Sequence, residues 1–178
     1  MFFLIFMLIM VGSEFGAYMW HRFGAHTDII PGIHDTHKIH HTSDLLHEAH
    51  EDFFWVILIL LSVGAGLVAA WYSDYLFIPV IYVIIAYLLI VMVFIWNWYV
   101  HSACHIPNHW LNKYYWFRKD KKMHLQHHVN PQVNYGIASH FSDIIFGTYE
   151  YPEEDPTSVF NQMRKNQILE TGDFDVIL

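Results

Sequence analysis

The chain carries a single cysteine, Cys104, so no disulfide can form within it. A lone thiol beside His105 reads as a small packing group rather than a soft metal ligand. Charge is scarce, at 15 % of residues, and positive charge scarcer still, with nine Lys and Arg against 17 Asp and Glu. The formal charge of −8 argues against nucleic acid as a partner. No internal repeat stands out, although the pattern HxxHH occurs twice. What is abundant is apolar surface: 54 % of the 178 residues are hydrophobic, too many for a polar linker or an ordinary soluble domain.

That surface is gathered into three segments. Met1 to about Trp20 is apolar except for Ser13 and Glu14; Phe53 to Tyr72 carries no charge; Tyr75 to Val100 carries none and one amide, Asn97. A helix needs roughly 20 apolar residues to cross the hydrocarbon core, so each segment is read as a span. The first lacks the basic start and cleavage-like site of a signal peptide. Trp20, Trp71, Tyr72, Tyr75, Trp96, Trp98 and Tyr99 lie near the segment ends, as interfacial aromatics do. The second and third spans form a hairpin about Ser73 and Asp74, so the chain returns to the side it left. All nine Lys and Arg fall on that side, which makes it cytoplasmic and leaves almost nothing of the N-terminus across the membrane.

Between and after the spans, the chain reads as cytoplasmic helices. Ile33 to about Asp52 is expected as an interfacial helix after a turn at Asp28 to Gly32. Ile106 and Pro107 should end the third span. Trp110 to about Val129 is expected as a further helix closed before Pro131, and Tyr135 to Phe146 as a short one with Gly136 as a turn residue. The expected fold is an all-α integral membrane bundle of about three spans, capped by helices that carry a histidine-rich dimetal site. One membrane domain over residues 1–149 is followed by an acidic C-terminal tail over 150–178.

Histidine dominates the polar residues. Ten of fifteen fall into four clusters: HRFGAH (His21, His26), HKIHH (His37, His40, His41), HSACH (His101, His105) and HLQHH (His124, His127, His128). On a helix, residues three or four apart share a face, so each of the last three clusters can aim several rings at one small volume. His21 and His26, five apart, fit a helix end less regularly. Neutral imidazole binds first-row transition metals well, and bundles commonly build dimetal sites from facing helices. A lone HxxHH would be weak evidence; four clusters on one topological face are strong evidence. His34, His47, His50, His109 and His140 read as structural or solvated, and their roles stay open, as does that of the acidic run HEAHED after the second cluster.

Glu14 is an ionisable group inside an apolar segment, which is costly and usually functional. It lies seven residues before His21, and Asn97 lies one turn before His101. Both are read as hydrogen-bonding behind a ligand ring to orient it. Asn134 and Asp143 are weaker candidates for the same role.

The order of these four clusters, with NYGIASHFSDIIFGTYE after the last, resembles the fatty acid hydroxylase and sterol desaturase superfamily of membrane histidine-box enzymes. In that ending the matching positions are Asn134, Tyr135, Gly136, Asp143, Phe146, Gly147 and Thr148. The resemblance covers about Glu14 to Tyr149, and the compact spacing looks most like fatty acid 2-hydroxylases. It implies two metal ions, iron in the active form with zinc able to replace it during purification, held by the ten clustered histidines. It implies O2 and two electrons as co-reactants and a membrane lipid C–H bond as target. Many members have four spans, whereas this chain begins inside what looks like their second, leaving one side of the bundle for lipid or a second subunit. No HPGG-type haem motif is present, so electrons are expected from a separate donor such as cytochrome b5 or a ferredoxin. Arg118, Lys119, Lys121 and Lys122 could dock such an acidic carrier or anionic lipid. The location implied is the endoplasmic reticulum in a eukaryote or the inner membrane in a bacterium.

The resemblance leaves the substrate open. A fatty acyl chain, free or within a sphingolipid, is the preferred reading. Sterol C-4 or C-5 oxidation or desaturation and carotenoid hydroxylation share the same boxes. A membrane metal-binding or transport protein is the alternative of a different class, and a haem protein is disfavoured because a haem has only two axial positions.

Overall fold

The computed structural model describes residues 2–29, 32–42, 49–72, 79–153, 155–159 and 161–162. The described residues are helical throughout their regular structure, with no strand. The helices are α1 (Phe2–Met19), α2 (Ile33–Thr42), α3 (Ala49–Tyr72), α4 (Val80–Cys104), α5 (Tyr115–Val129) and α6 (Phe141–Phe146). A π-helical turn, Trp20–Ala25, extends α1 without a break, and a 3₁₀ turn, Trp110–Lys113, precedes α5.

Helix α4 is the frame. Its 25 residues rise about 37 Å, more than the hydrocarbon core requires, and it is long and apolar enough to cross a membrane. α1 packs along one side of α4 and α3 along another, while α5 meets its histidine-bearing end. Gly64 of α3 lets the two helices close up: a Cβ there would come within 3.0 Å of the Tyr87 ring. The Tyr87 hydroxyl in turn donates to the Leu60 carbonyl at 3.3 Å. Outward faces are apolar on all three long helices, with Leu4, Leu8 and Val11 on α1, Leu61 and Val68 on α3, and Ile81, Leu88 and Met92 on α4 all exposed.

Among the described residues, a cluster of buried apolar side chains sits at the histidine-bearing end of α4 and on the segments that follow it. Val100, Ala103, Cys104, Leu111 and Phe117 form it, each almost fully buried. Cys104 packs here as an apolar group.

Several expected elements differ in extent. The turn at Ser73 and Asp74 lies outside the described residues, as does 43–48 in the middle of the helix expected from Ile33 to Asp52. Trp110 to Val129 is two pieces rather than one. The His109 ring accepts from the Leu111 N–H to start the 3₁₀ turn, and Tyr114, extended at φ −92° and ψ 134°, separates that turn from α5. Of Tyr135 to Phe146, only Phe141–Phe146 is helical. The Tyr135 and Gly136 N–H groups donate at 2.8 Å to the Asp143 carboxylate, so they are drawn away from any helical ladder.

Gly136 is required at its position by this close approach. A Cβ there would lie 2.0 Å from the Ser139 carbonyl oxygen and 2.8 Å from Asp143 Oδ2. Gly136→Ala is expected to destabilise the protein by about 3 kcal/mol, the upper range for overpacking. Gly12→Ala, where nothing lies within 4 Å, should be neutral or stabilising by less than about 1 kcal/mol. Thermal unfolding of the two variants in detergent checks the contrast.

Candidate metal centre

Two groups of five histidines are assembled, and they contain all ten clustered rings. His21, His26, His37, His41 and His127 make one; His40, His101, His105, His124 and His128 make the other. Within each group one ring nitrogen per residue lies within 4.8 Å of every other. Most of these rings are buried, with His26 and His41 partly open.

The partition follows from helix geometry. Adjacent residues on an α-helix are about 100° apart, whereas residues four apart nearly eclipse. So His37 and His41 face one centre while His40 faces the other, and His124 and His128 face one while His127 faces the other. Each HxxHH motif therefore feeds both centres. The five-residue spacing of His21 and His26 is accommodated by the π-helical turn, whose i to i+5 periodicity brings them to one side. Their ring centroids are 5.0 Å apart. A longer turn is thus the feature that α-helical periodicity could not anticipate.

The ring nitrogens are arranged for a cation. His21 Nδ1 lies 2.6 Å from the Tyr135 carbonyl oxygen and His127 Nδ1 lies 2.7 Å from that of Val133. A carbonyl only accepts, so each Nδ1 carries the proton and each Nε2 of the neutral ring presents a bare lone pair. His127 Nε2 nevertheless lies 3.0 Å from His26 Nε2, and His21 Nε2 lies 3.1 Å from His37 Nε2. In the other group, His124 Nε2 is 2.9 Å from that of His105 and 3.1 Å from that of His128. Nitrogens bound 2.0–2.1 Å from a shared metal, at cis or tetrahedral angles, stand about 2.9–3.4 Å from one another. The observed spacings fall in that range, so the residues fit a metal ion in each group.

Protonation is also set for ligation. Burial, reinforced by neighbouring rings, pushes His26 down to about 2 and His41 to about 3. The same causes hold His124, His127 and His128 well below the ordinary imidazole value. Neutral imidazole is the form that binds metal.

A family model described as fatty acid hydroxylase matches residues 6–148. The chain belongs to the fatty acid hydroxylase family. No curated protein and no solved structure matches it significantly. In this hydroxylase-family chain the matched region takes in all four histidine clusters and the NYG to FGT ending, and the family is metal-dependent and membrane-associated.

The ending is the scaffold for the rings. Asn134, in a left-handed conformation at φ 54°, exchanges hydrogen bonds with the Glu150 backbone, its Nδ2 donating at 2.8 Å and its Oδ1 accepting at 2.9 Å. Asp143 accepts from the Tyr135 and Gly136 N–H groups and, at 2.7 Å, from the Thr148 hydroxyl. It thereby sets the peptide whose carbonyl orients His21. The link to a ligand ring runs through Tyr135, a backbone partner that residue type alone does not reveal.

The other expected orienting residues sit elsewhere. Glu14 reaches Ser142, accepting from its N–H at 3.2 Å and its hydroxyl at 2.6 Å, so it ties α1 to α6 instead of supporting His21. Asn97 lines a cavity next to His101 and hydrogen-bonds no ligand ring. Tyr18, which sequence reasoning missed, bonds Thr148 at 3.0 Å, accepts from Arg22 at 2.7 Å and stacks on Phe146. Of the five remaining histidines, His34 pairs with Asp28 at 2.6 Å and His109 with the Tyr99 hydroxyl at 3.2 Å. His47 and the side chain of His50 lie outside the described residues.

His140 is a largely enclosed link between helices. Its Nε2 lies 3.1 Å from Asp120 of α5 and its Nδ1 lies 3.1 Å from Asp143 of α6. Burial opposes its charge, but the two carboxylates outweigh burial and raise it to about 9. The same imidazolium, with Thr148 and Gly136, outweighs burial at Asp143 and holds that carboxyl below its usual range.

Two outcomes follow from this network. Asp143→Ala strands several buried donors and should cost about 3–5 kcal/mol, lowering the unfolding midpoint by roughly 10 °C. His140, raised from 6.5 when unfolded, contributes stability fully below that value and loses it as pH rises through about 9. The unfolding midpoint should therefore fall between pH 7 and 9.5, and the fall should be absent in His140→Gln, read by thermal melts across that range.

Proposed function

We propose that this family member is a membrane-bound dimetal oxygenase that hydroxylates a C–H bond of a fatty acyl chain. The observation that carries the reading is the pair of five-histidine groups opening onto an apolar cleft between α1 and α4. Two iron ions, one held by each group, would activate O2, the oxidant that an unactivated C–H bond demands. The net change is RH + O2 + 2 e⁻ + 2 H⁺ giving ROH and H2O, with the electrons from a separate donor such as cytochrome b5 or a ferredoxin.

The chain's own residues do the rest. The ten rings hold the metals, and the Tyr135 and Val133 carbonyls fix two of those rings through their Nδ1 protons. Such support behind a ligand commonly matters 10 to 100-fold in affinity or activity. The apolar cleft excludes water and holds the chain beside His21, His37 and His101. Arg118, Lys121 and Lys122 border a cavity of about 240 Å³ that reaches His105, which supports this basic face as the place where an acidic donor docks.

The reading also takes α1, α3 and α4 as spans, with the histidines at the cytoplasmic surface. The exposed apolar faces of all three support it, as does the absence of Lys and Arg between Tyr72 and Val100. A metal transporter would set polar ligands along a path through the membrane. Here they are gathered at one end of the long helices.

Anaerobic metal analysis of the purified chain, with mass spectrometry of lipids from expressing cells, tests the proposal. Two metals per chain and an O2-dependent hydroxylated acyl product are expected. Changed sterols or carotenoids with unchanged acyl chains would reject the substrate; metal uptake into vesicles without any oxidised lipid would reject the enzyme. His127→Ala and His128→Ala should each abolish turnover and reduce bound metal towards one ion, because each removes a ring from a different group.

A further inference from the structure

The cleft between α1 and α4 is two cavities that meet. The outer one, about 330 Å³, is walled chiefly by apolar side chains such as Phe6, Met10, Leu89 and Met92. The inner one, about 70 Å³, reaches His21, His37 and His101. Ala17, Asn97 and Ile137 line both.

Polar groups on the outer wall are few. Glu14 is occupied by Ser142, and the Ser139 hydroxyl accepts from the Phe141 N–H. The Asn97 side chain has no hydrogen-bond partner among the described residues. A primary amide offers two donors and an acceptor, so this half-buried side chain is open to a polar partner from the cleft. It sits where the two cavities join, one helical turn before His101 and on the same face of α4.

Depth decides which part of a lipid lies there. α1 runs into His21 and α4 ends just past His101, so both helices lead from apolar surroundings towards the histidines. A lipid in the cleft has its tail matched to the outer cavity and its polar end to the junction. We infer that Asn97 hydrogen-bonds the polar head of a single acyl chain and so presents a carbon within a few bonds of that head to the metal centres. This rests on the hydroxylase reading above, and gives it a direction. One turn of helix is about 5.4 Å, so with the head held at the amide and the tail running outward only carbons next to the head come near a ligand ring.

The test uses the metal-loaded, detergent-solubilised chain with radiolabelled palmitic acid, palmitamide and hexadecane as probes. The parent should bind the two headed probes at least about tenfold more tightly than hexadecane, as one hydrogen bond of about 1.4 kcal/mol provides. Asn97→Leu should bring the headed probes down about tenfold and leave hexadecane and bound metal unchanged, while Asn97→Gln should stay within about threefold of the parent. Without any variant, the product from palmitate should carry its hydroxyl in the carboxyl half of the chain. A preference for headed probes that survives in Asn97→Leu, equal binding of all three by the parent, or hydroxylation confined to the methyl half would each overturn the role of Asn97 and leave the hydroxylase reading standing. A parent that binds none of the three would bring down both.

Discussion

Lone pairs that have no proton to share govern this molecule. The Tyr135 and Val133 carbonyls claim the Nδ1 protons of His21 and His127, which leaves their Nε2 atoms bare. Those atoms are nonetheless held about 3 Å from other imidazole nitrogens. Such an arrangement is unfavourable among neutral rings and worse among charged ones, and a cation between them reverses its sign. A metal ion in each group would therefore couple its binding to folding, because it would turn the close approach of these rings from a cost into a gain.

Rigidity comes from a second polar network behind the first. Asp143 gathers Tyr135, Gly136, Thr148 and His140, and His140 passes the connection to Asp120 on α5. Tyr18 and Glu14 carry it to α1. Buried polar groups are costly unless satisfied, and most of these satisfy one another, Asp120 Oδ2 alone among the carboxylate oxygens of Asp120 and Asp143 being left without a hydrogen-bond partner. The contrast with the long helices is sharp. Those present apolar side chains outwards, which suits a lipid environment and lends little to a core. Much of the specific packing is thus concentrated at one end, where the chemistry is.

That division gives the functional reading its form. An apolar cleft leads to a polar cage, and a lipid is itself apolar at one end and polar at the other. The polar side chain at the junction, Asn97, lies where the two environments change over. On the proposed reading, substrate and site follow the same gradient, and orientation needs little besides that gradient and one amide.

Much of this was legible in the chain. The length of the uncharged apolar segments marked the long helices, and i, i+3 and i+4 spacing marked the histidines as convergent. The ending after the last cluster pointed to the family that the comparison identifies. Three things were not legible. Five-residue spacing looked irregular because it needed a π-helical turn, which depends on competing hydrogen bonds rather than on residue pattern. Its place in the sequence puts Glu14 behind the His21 ring, but its partner is Ser142, 128 residues away in sequence. The expected helix from Tyr135 shrank to Phe141–Phe146 because a side-chain carboxylate outcompeted the helical ladder. Residue pattern and residue chemistry on their own marked the long helices and the histidines that converge. Which ring joins which centre, and which backbone carbonyl stands behind it, was decided only when distant segments met, because such contacts depend on distances in space that no spacing along the chain encodes.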